Sequence, residues 1–512
     1  MFRRTALVLG VALPLAAATA LPAHAAGSAV LALDANIIGL DPADLNDNLS
    51  MTASRTMLQG LYGFDRDMKM IPVLAESTEA SADAMTYVVH LRHGIVFHDG
   101  APFNALAVKT SFDRAMNPDN HLKRAALYAP IDKTEVVDEF TVKISLKYAF
   151  GAFINNLAHQ AFAISSPKAI AEFGKDLSRH PSGTGPYKLG AWSSADTLTV
   201  VRNEHYWKPG LPKVDSITIR SIPENGARLA MLQAGEANYI YPMPPELVKV
   251  VEKDPKIDIV SARSIYAGFV ALNTLRKPFN DVRVRQALNY AVDKAAYLKV
   301  VVGGYGVPLD APLPANLSGY VSQGAPYPYD PAKAKALLAE AGYPNGFEAP
   351  LWGGNSTTSQ RAMQFLQQQF AAVGVKVSVE PLESGVAAAK VWNVKTPEDA
   401  TTLMYLTGWS ASTGDADWGL RPLFYGKAFP PNLFNVAYYS SKVTDEAIEA
   451  GLTTADPVKR QAAYTTAQAQ IWKDVPWVFL ISANNLSAKA KNFDGMFVLP
   501  DGQMLMEEAA FK

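Results

Sequence analysis

The N-terminal segment limits what this chain can become more than any later feature. Arg3 and Arg4 form a short basic region, an apolar run follows over 6–20, and Ala23-His24-Ala25 places small residues at the two positions a signal peptidase reads. Cleavage is expected after Ala25, so 1–25 is a signal peptide and the chain folds after export. A membrane anchor would need about 20 apolar residues; this run is shorter, and Pro14 interrupts it. No later stretch is long and apolar enough to span a bilayer. Export to an oxidising compartment permits disulfides, yet the sequence has no cysteine. The fold must therefore hold without cross-links, and thiolate chemistry and Cys-based zinc or iron–sulfur sites are excluded. With no thiol at the new N-terminus, lipid attachment through cysteine is excluded too. The expected location is the bacterial periplasm, as a freely diffusing protein and not a lipoprotein.

A mature chain of roughly 490 residues exceeds what one hydrophobic core serves, which predicts two or three lobes. The net charge is −1 for the precursor and −3 once Arg3 and Arg4 are removed. A near-neutral chain with no basic run has no electrostatic reason to bind nucleic acid. No repeat, low-complexity tract or heptad pattern points to an array or a coiled-coil oligomer, and a monomer is expected.

Apolar runs and alternation predict strands over 29–33, 86–92, 197–202, 216–221, 267–273, 375–379, 402–406 and 477–481, with a hairpin over 133–147 turning at Asp138-Glu139. Asn48 or Ser50 is read as the cap of a helix carrying Met57, Leu58 and Leu61. Asn104 is read as the cap of a helix reaching Met116, with Leu106, Val108 and Phe112 as its apolar positions. Asn225 is read as the cap of a helix stopped by Gly235. Asp281 opens an apolar helix to Val292, and helices are expected over 331–341, 360–373 and 457–473. This order suits an α/β protein of several lobes.

Three segments then become familiar: His98-Asp99-Gly100-Ala101-Pro102-Phe103-Asn104-Ala105, Gly183-Thr184-Gly185-Pro186-Tyr187, and Asn280-Asp281-Val282-Arg283-Val284-Arg285-Gln286-Ala287-Leu288-Asn289-Tyr290-Ala291. In this order and spacing they resemble the extracellular solute-binding family of peptide ABC importers, from about Ala29 to the C-terminus. Asn120-His121-Leu122-Lys123-Arg124, Leu211-Pro212-Lys213-Val214-Asp215-Ser216-Ile217 and the long stretch Thr407-Gly408-Trp409-Ser410-Ala411-Ser412-Thr413-Gly414-Asp415-Ala416-Asp417-Trp418 resemble its glutathione-binding branch. The resemblance implies a type II periplasmic binding protein of the peptide-binding cluster, an α/β fold of two lobes with an extra subdomain and hinge strands. Mapped here, the first lobe comprises 26–71, 187–270 and 481–512, the extra subdomain 72–186 and the second lobe 271–480, with hinge strands near 269–273 and 478–481. It also implies the function: capture of glutathione, without catalysis, and delivery to ABC permease subunits at the inner membrane. A general dipeptide or oligopeptide carrier is the alternative.

Glutathione has two carboxylates and one ammonium, and burying either charge without a partner is costly. Peptide binders of the family usually hold the ligand ammonium with an aspartate three residues after the loop tryptophan; here that position is Ser412. A hydroxyl cannot pair an ammonium by charge. The resemblance therefore implies a rearranged anchor, with Asp415 or Asp417 taking the ammonium and Ser412 and Thr413, beside Ser410, bonding a carboxylate. Arg124 is the first candidate for a carboxylate partner. Arg361 is weaker because it opens a helix, where the first turn disfavours a cation, and Arg228 reads as structural. Trp409 and Trp352 are expected to wall the ligand, and Phe269 joins them from the hinge strand. Asn46, Asp47, Leu49 and Ser50 precede a helix, whose free N–H groups suit an anion.

Two other classes are weighed. His90, His93 and His98 invite a metal, but His90 and His93 point to opposite faces of a strand, so no metal and no cofactor are expected. For a hydrolase, Ser182-Gly183-Thr184-Gly185 is not a Gly-x-Ser-x-Gly elbow. Asp415 and Asp417, two apart on a loop, do not set a glycosidase separation either.

Overall fold

The structure, a computed structural model, describes residues 27–193 and 196–512. The expected signal peptide lies outside the described residues. Among these, no helix is long and apolar enough to cross a membrane.

Two large mixed sheets organise the chain. The first has seven strands in the order Ile257–Ala262, Asn485–Ala490, Tyr239–Tyr241, Ser28–Leu33, Ser216–Ser221, Thr197–Arg202 and Tyr187–Ser193. Ser28–Leu33 runs parallel to both of its neighbours. A parallel centre is buried on both faces, and successive side chains divide between them. Leu31 and Leu33 pack with Val200, Ile217 and Ile219 on one face, while Ala32 packs with Leu232, Ile240 and Ala488 on the other.

The second sheet has six strands, in the order Gly306–Pro308, Trp477–Ala483, Tyr266–Leu272, Met404–Ser410, Glu348–Gly354 and Lys376–Leu382. Helices Val282–Tyr290 and Thr357–Ala371 cover one face, burying Val270, Leu351 and Val478 against Leu288, Leu366 and Phe370. Phe269, Trp352, Tyr405 and Trp477 face the other way. A third, four-stranded antiparallel sheet (Ala75–Ala80, Thr86–Leu91, Thr141–Leu146, Ile131–Asp138) carries the helix Ala105–Met116. Its apolar side belongs to the same buried cluster as Phe269 and Tyr405. The Gly151 N–H donates to the Leu452 carbonyl at 2.7 Å, and Arg421 lies 5.4 Å from the Phe150 ring, so this sheet's side rests against the second.

The chain passes between the two large sheets through 263–265 and through Asn484. These crossings lie together, because the Ser264 hydroxyl donates to the Ala483 carbonyl. The hinge segments expected at 269–273 and 478–481 are corrected. The ladder from Tyr266↔Ser410 to Leu272↔Met404 and the pairing of Val270 with Val478 put both inside the second sheet.

Local expectations are refined by geometry. Asp47, not Asn48 or Ser50, caps the helix Asn48–Arg55, which ends before Met57, Leu58 and Leu61. Leu106 is exposed because it sits about 200° around the helix from Val108 at 100° per residue. Glu224 occupies the cap position ahead of Asn225, and Gly235 ends that helix with a left-handed φ of 77°. Arg228 is fully buried and donates to the carbonyls of Ile222, Pro223 and Pro242, a structural role.

Candidate functional site

Ligands of open α/β sheets meet the carboxyl ends of parallel strands. In the second sheet Glu348–Gly354 and Met404–Ser410 run parallel with Trp352 opposite Tyr405. Beyond them an aromatic wall continues. Trp392 lies 5.6 Å from Tyr405 and 5.8 Å from Phe434, and Trp409 lies 5.1 Å from Phe434 and 5.9 Å from Trp418, ring centre to ring centre. The Trp409 indole N–H is already used, donating to the Trp418 carbonyl at 2.7 Å. The Trp352 indole N–H is buried and has no hydrogen-bond partner among the described residues. Lys390, on the π-helical turn Ala388–Trp392, places Nζ 4.9 Å from the Trp352 ring. Trp392, Phe434 and Lys390 were not singled out from sequence; the aromatics carry no motif, and Lys390 reads as one more exposed lysine.

The loop after Trp409 is tightly tied. Ser412 donates its N–H to the Ser410 carbonyl at 2.9 Å and is half-buried, whereas Thr413 is fully buried. Gly414 has φ +68°, and a Cβ there would lie 2.6 Å from Phe64 Cε1, so only glycine lets this loop rest on the first-sheet side. Asp415 Oδ1 accepts from Arg460 Nη2 at 2.7 Å, from the Tyr464 hydroxyl at 3.0 Å and from the Asp417 N–H at 2.9 Å. Asp417 starts the helix Asp417–Phe424 and accepts from Arg421 Nε at 2.9 Å and Nη2 at 2.7 Å. Burial pulls Arg460 and Arg421 downward, but the facing carboxylates outweigh it and hold both guanidinium groups above their usual range. Neither aspartate is a free anion in this arrangement, so the ammonium-holding role expected of one of them meets an arginine already in place.

Other expected site residues lie on the connection leaving Ser28–Leu33. Asn46 is exposed and Asp47 half-buried. Ser50 is interior, its hydroxyl accepting the Ile38 N–H at 3.0 Å, and Leu49 packs on the first-sheet core, so neither presents itself to a ligand. Asn48 Nδ2 donates to the Asp501 carbonyl at 2.7 Å. Arg124 is half-buried; its Nε donates to the Leu45 carbonyl at 2.6 Å, which brings it to this connection. Burial lowers its pKa, and the charge of Asp47 opposes that. Phe269 is 1 % exposed and stacked on Trp477 at 3.4 Å, a core position within the sheet and not a wall of the cleft.

The three histidines do not converge. His90 Nδ1 lies 3.5 Å from the Thr141 hydroxyl, His93 packs on Phe140, and His98 bonds the Gly183–Gly185 backbone. Among the described residues no group of three His, Asp or Glu side chains is placed to hold a metal. A cavity of about 210 Å³ is lined by Arg55, Gln59, Phe64, Lys208 and Glu507. Four of its charged residues pair with each other, Lys208 with Glu507 at 2.9 Å and Arg66 with Glu508 at 2.7 Å, and none of the aromatic-wall residues lines it.

Residues 69–430 match the profile of the bacterial extracellular solute-binding proteins, family 5 Middle. The chain is 49 % identical to the glutathione-binding protein GsiB of Pectobacterium atrosepticum over 495 residues, 96 % of each chain. It is 46 % identical to GsiB of Salmonella typhimurium over 494 residues, again 96 % of each. Among solved structures it is similar to HbpA2 from Haemophilus parasuis, with TM-score 0.85 and 26 % identity, covering 95 % of this chain and 100 % of that one. It is also similar to the periplasmic binding protein DppA from Helicobacter pylori in complex with peptide STSA, with TM-score 0.77 and 28 % identity, covering 94 % and 98 %.

Proposed function

The chain belongs to the bacterial extracellular solute-binding proteins of family 5, and from that premise we propose that it captures glutathione in the periplasm and delivers it to the permease subunits of an ABC importer. The observation that carries this reading is the loop after Trp409, which presents a hydroxyl at Ser412 while both of its carboxylates are tied to arginines. An ordinary peptide finds no free acid there for its ammonium. A γ-linked glutamate, whose ammonium sits beside a carboxylate, needs a differently built anchor. The full-length similarity to GsiB supports the same ligand.

In this reading Trp352 and Trp409 form the wall, with the unpartnered Trp352 N–H turned to a ligand acceptor. Ser410 and Ser412 line the loop, the fully buried Thr413 does not reach the ligand, Asn46 borders the site, and Arg124 meets a carboxylate. The crossings at 263–265 and Asn484 act as the hinge on which the lobes close. A micromolar ligand needs about −8 kcal/mol net. Each hydrogen bond to a charged group contributes roughly 1.5–3 kcal/mol, so a few such bonds and apolar contact suffice. The protein acts as a monomer, freely diffusing after signal-peptide removal, and performs no chemistry on its cargo.

Titration calorimetry with reduced glutathione, oxidised glutathione, γ-Glu-Cys and a panel of dipeptides tests the proposal. Glutathione is expected to bind at least tenfold more tightly than any dipeptide. Binding of dipeptides without binding of glutathione would make this a general peptide carrier instead.

A further inference from the structure

On the first-sheet side, an acid and a base stand together with each only half used. Asp47 caps its helix through Oδ1, which accepts the Ser50 N–H at 2.7 Å. Its Oδ2 is buried with no hydrogen-bond partner among the described residues. A buried carboxylate oxygen without a donor is costly to keep. Arg124 is fixed from behind by the Nε bond to Leu45, and its backbone N–H donates to the Ala43 carbonyl at 3.0 Å. Among the described residues its Nη groups have no hydrogen-bond partner. The Asp47 charge acts on this guanidinium, yet the two make no direct ion pair among the described residues.

A half-used acid beside a half-used base is the complement of an ammonium beside a carboxylate. We infer that Asp47 and Arg124 clamp the amino-acid end of a γ-glutamyl ligand, Asp47 Oδ2 accepting from its ammonium and Arg124 Nη donating to the α-carboxylate on the same carbon. This rests on the reading of the cargo as glutathione, and it moves the ammonium partner away from the loop after Trp409. The clamp reads the linkage itself. In an α-peptide the ammonium stands beside an amide carbonyl, which gives Arg124 a neutral acceptor and no counter-charge. In a γ-linked glutamate both charges sit on one carbon and match the pair. Arg124 with a planar fork suits a carboxylate, and Asp47, pinned by its own capping bond, offers one oxygen in a fixed direction.

The test uses calorimetry on the whole mature protein and the variants Asp47→Asn and Arg124→Gln. Three ligands are titrated: glutathione, glutaryl-Cys-Gly (no ammonium) and 4-aminobutyryl-Cys-Gly (no α-carboxylate), the weaker two by displacement. Asparagine keeps a capping oxygen at position 47, and an unchanged thermal midpoint verifies the fold. Asp47→Asn is expected to weaken glutathione at least tenfold and to leave glutaryl-Cys-Gly unchanged. Arg124→Gln is expected to weaken glutathione at least tenfold and to leave 4-aminobutyryl-Cys-Gly unchanged. Tight wild-type binding of glutathione with variants that weaken all three ligands equally, or none, overturns the clamp alone. Failure of the wild type to bind glutathione overturns the ligand reading and the clamp with it.

Discussion

Replacing Asp415 by asparagine separates two jobs that a loop acid can have. Asp415 is 2 % exposed, and its partner Arg460 keeps only 12 % of its side chain exposed, with 2.7 Å between the charged atoms. Water cannot take over the arginine's charge if the carboxylate is lost. Removing one member of a buried pair costs about 3–5 kcal/mol, which for a lobe of about 200 residues lowers the thermal midpoint on the order of 10 °C. Because the pair ties the loop to the helix Pro457–Asp474, glutathione affinity is expected to fall along with the midpoint. The double variant Asp415→Asn with Arg460→Met removes both charges and should recover most of both losses. Scanning calorimetry and titration of the three proteins decide it. An Asp415→Asn protein that keeps its midpoint and loses only affinity would show the carboxylate meeting the ligand directly, and the structural account of this acid would be wrong.

Ser412→Asp puts an acid back at the position where peptide binders of the family usually carry one. It should raise affinity for dipeptides and weaken glutathione at least tenfold, measured by titration calorimetry; no gain with dipeptides would remove position 412 from ligand selection. His98 offers a pH test. Nε2 lies 3.1 Å from the Gly185 carbonyl and Nδ1 3.4 Å from the Gly183 N–H, so the ring is used as a neutral donor and acceptor, and burial pushes its pKa down to about 4. Unfolded, it takes up a proton below about 6.5. The unfolded state therefore binds more protons between about 6.5 and about 4, and stability is full above that window and falls as pH drops through it. Urea midpoints across this range should fall more steeply for the wild type than for His98→Gln, and parallel slopes would refute the assignment.

The strands were legible where burial alternates or a turn residue intervenes. Thr86–Leu91 shows the expected every-other burial, and the strands Thr197–Arg202 and Ser216–Ser221 coincide with their predicted spans. The crossing between sheets was misplaced because Tyr266–Leu272 and Trp477–Ala483 are buried along nearly their whole length. A strand covered on both faces has no period, and nothing in its composition marks where one sheet hands over to the next. The cap of Asn48–Arg55 was missed for a different reason. Asp47, Asn48 and Ser50 are all good capping residues, and only backbone geometry chooses among them. At the candidate site, Trp352, Trp409 and Arg124 stand out in the sequence by residue type, but the partners of Asp415 do not. Arg460 lies 45 residues away in sequence, and no local pattern links an acid to a base at that distance.

Those partners hold the backbone of the loop independently of the side chain at position 412. The Trp409 indole bonds the Trp418 carbonyl, Asp415 is held by Arg460 and Tyr464, and Asp417 by Arg421, so the segment is fastened at both ends and to two helices. Between these ties, Ser412 is half-buried and makes no side-chain hydrogen bond among the described residues. Its side chain can differ without disturbing the backbone that carries it. The acids at 415 and 417 serve rigidity, and a wall that does not adapt cannot compensate for a missing charge. With a hydroxyl at position 412, and with Asp415 and Asp417 tied to arginines, the loop itself offers an ammonium no unpaired carboxylate.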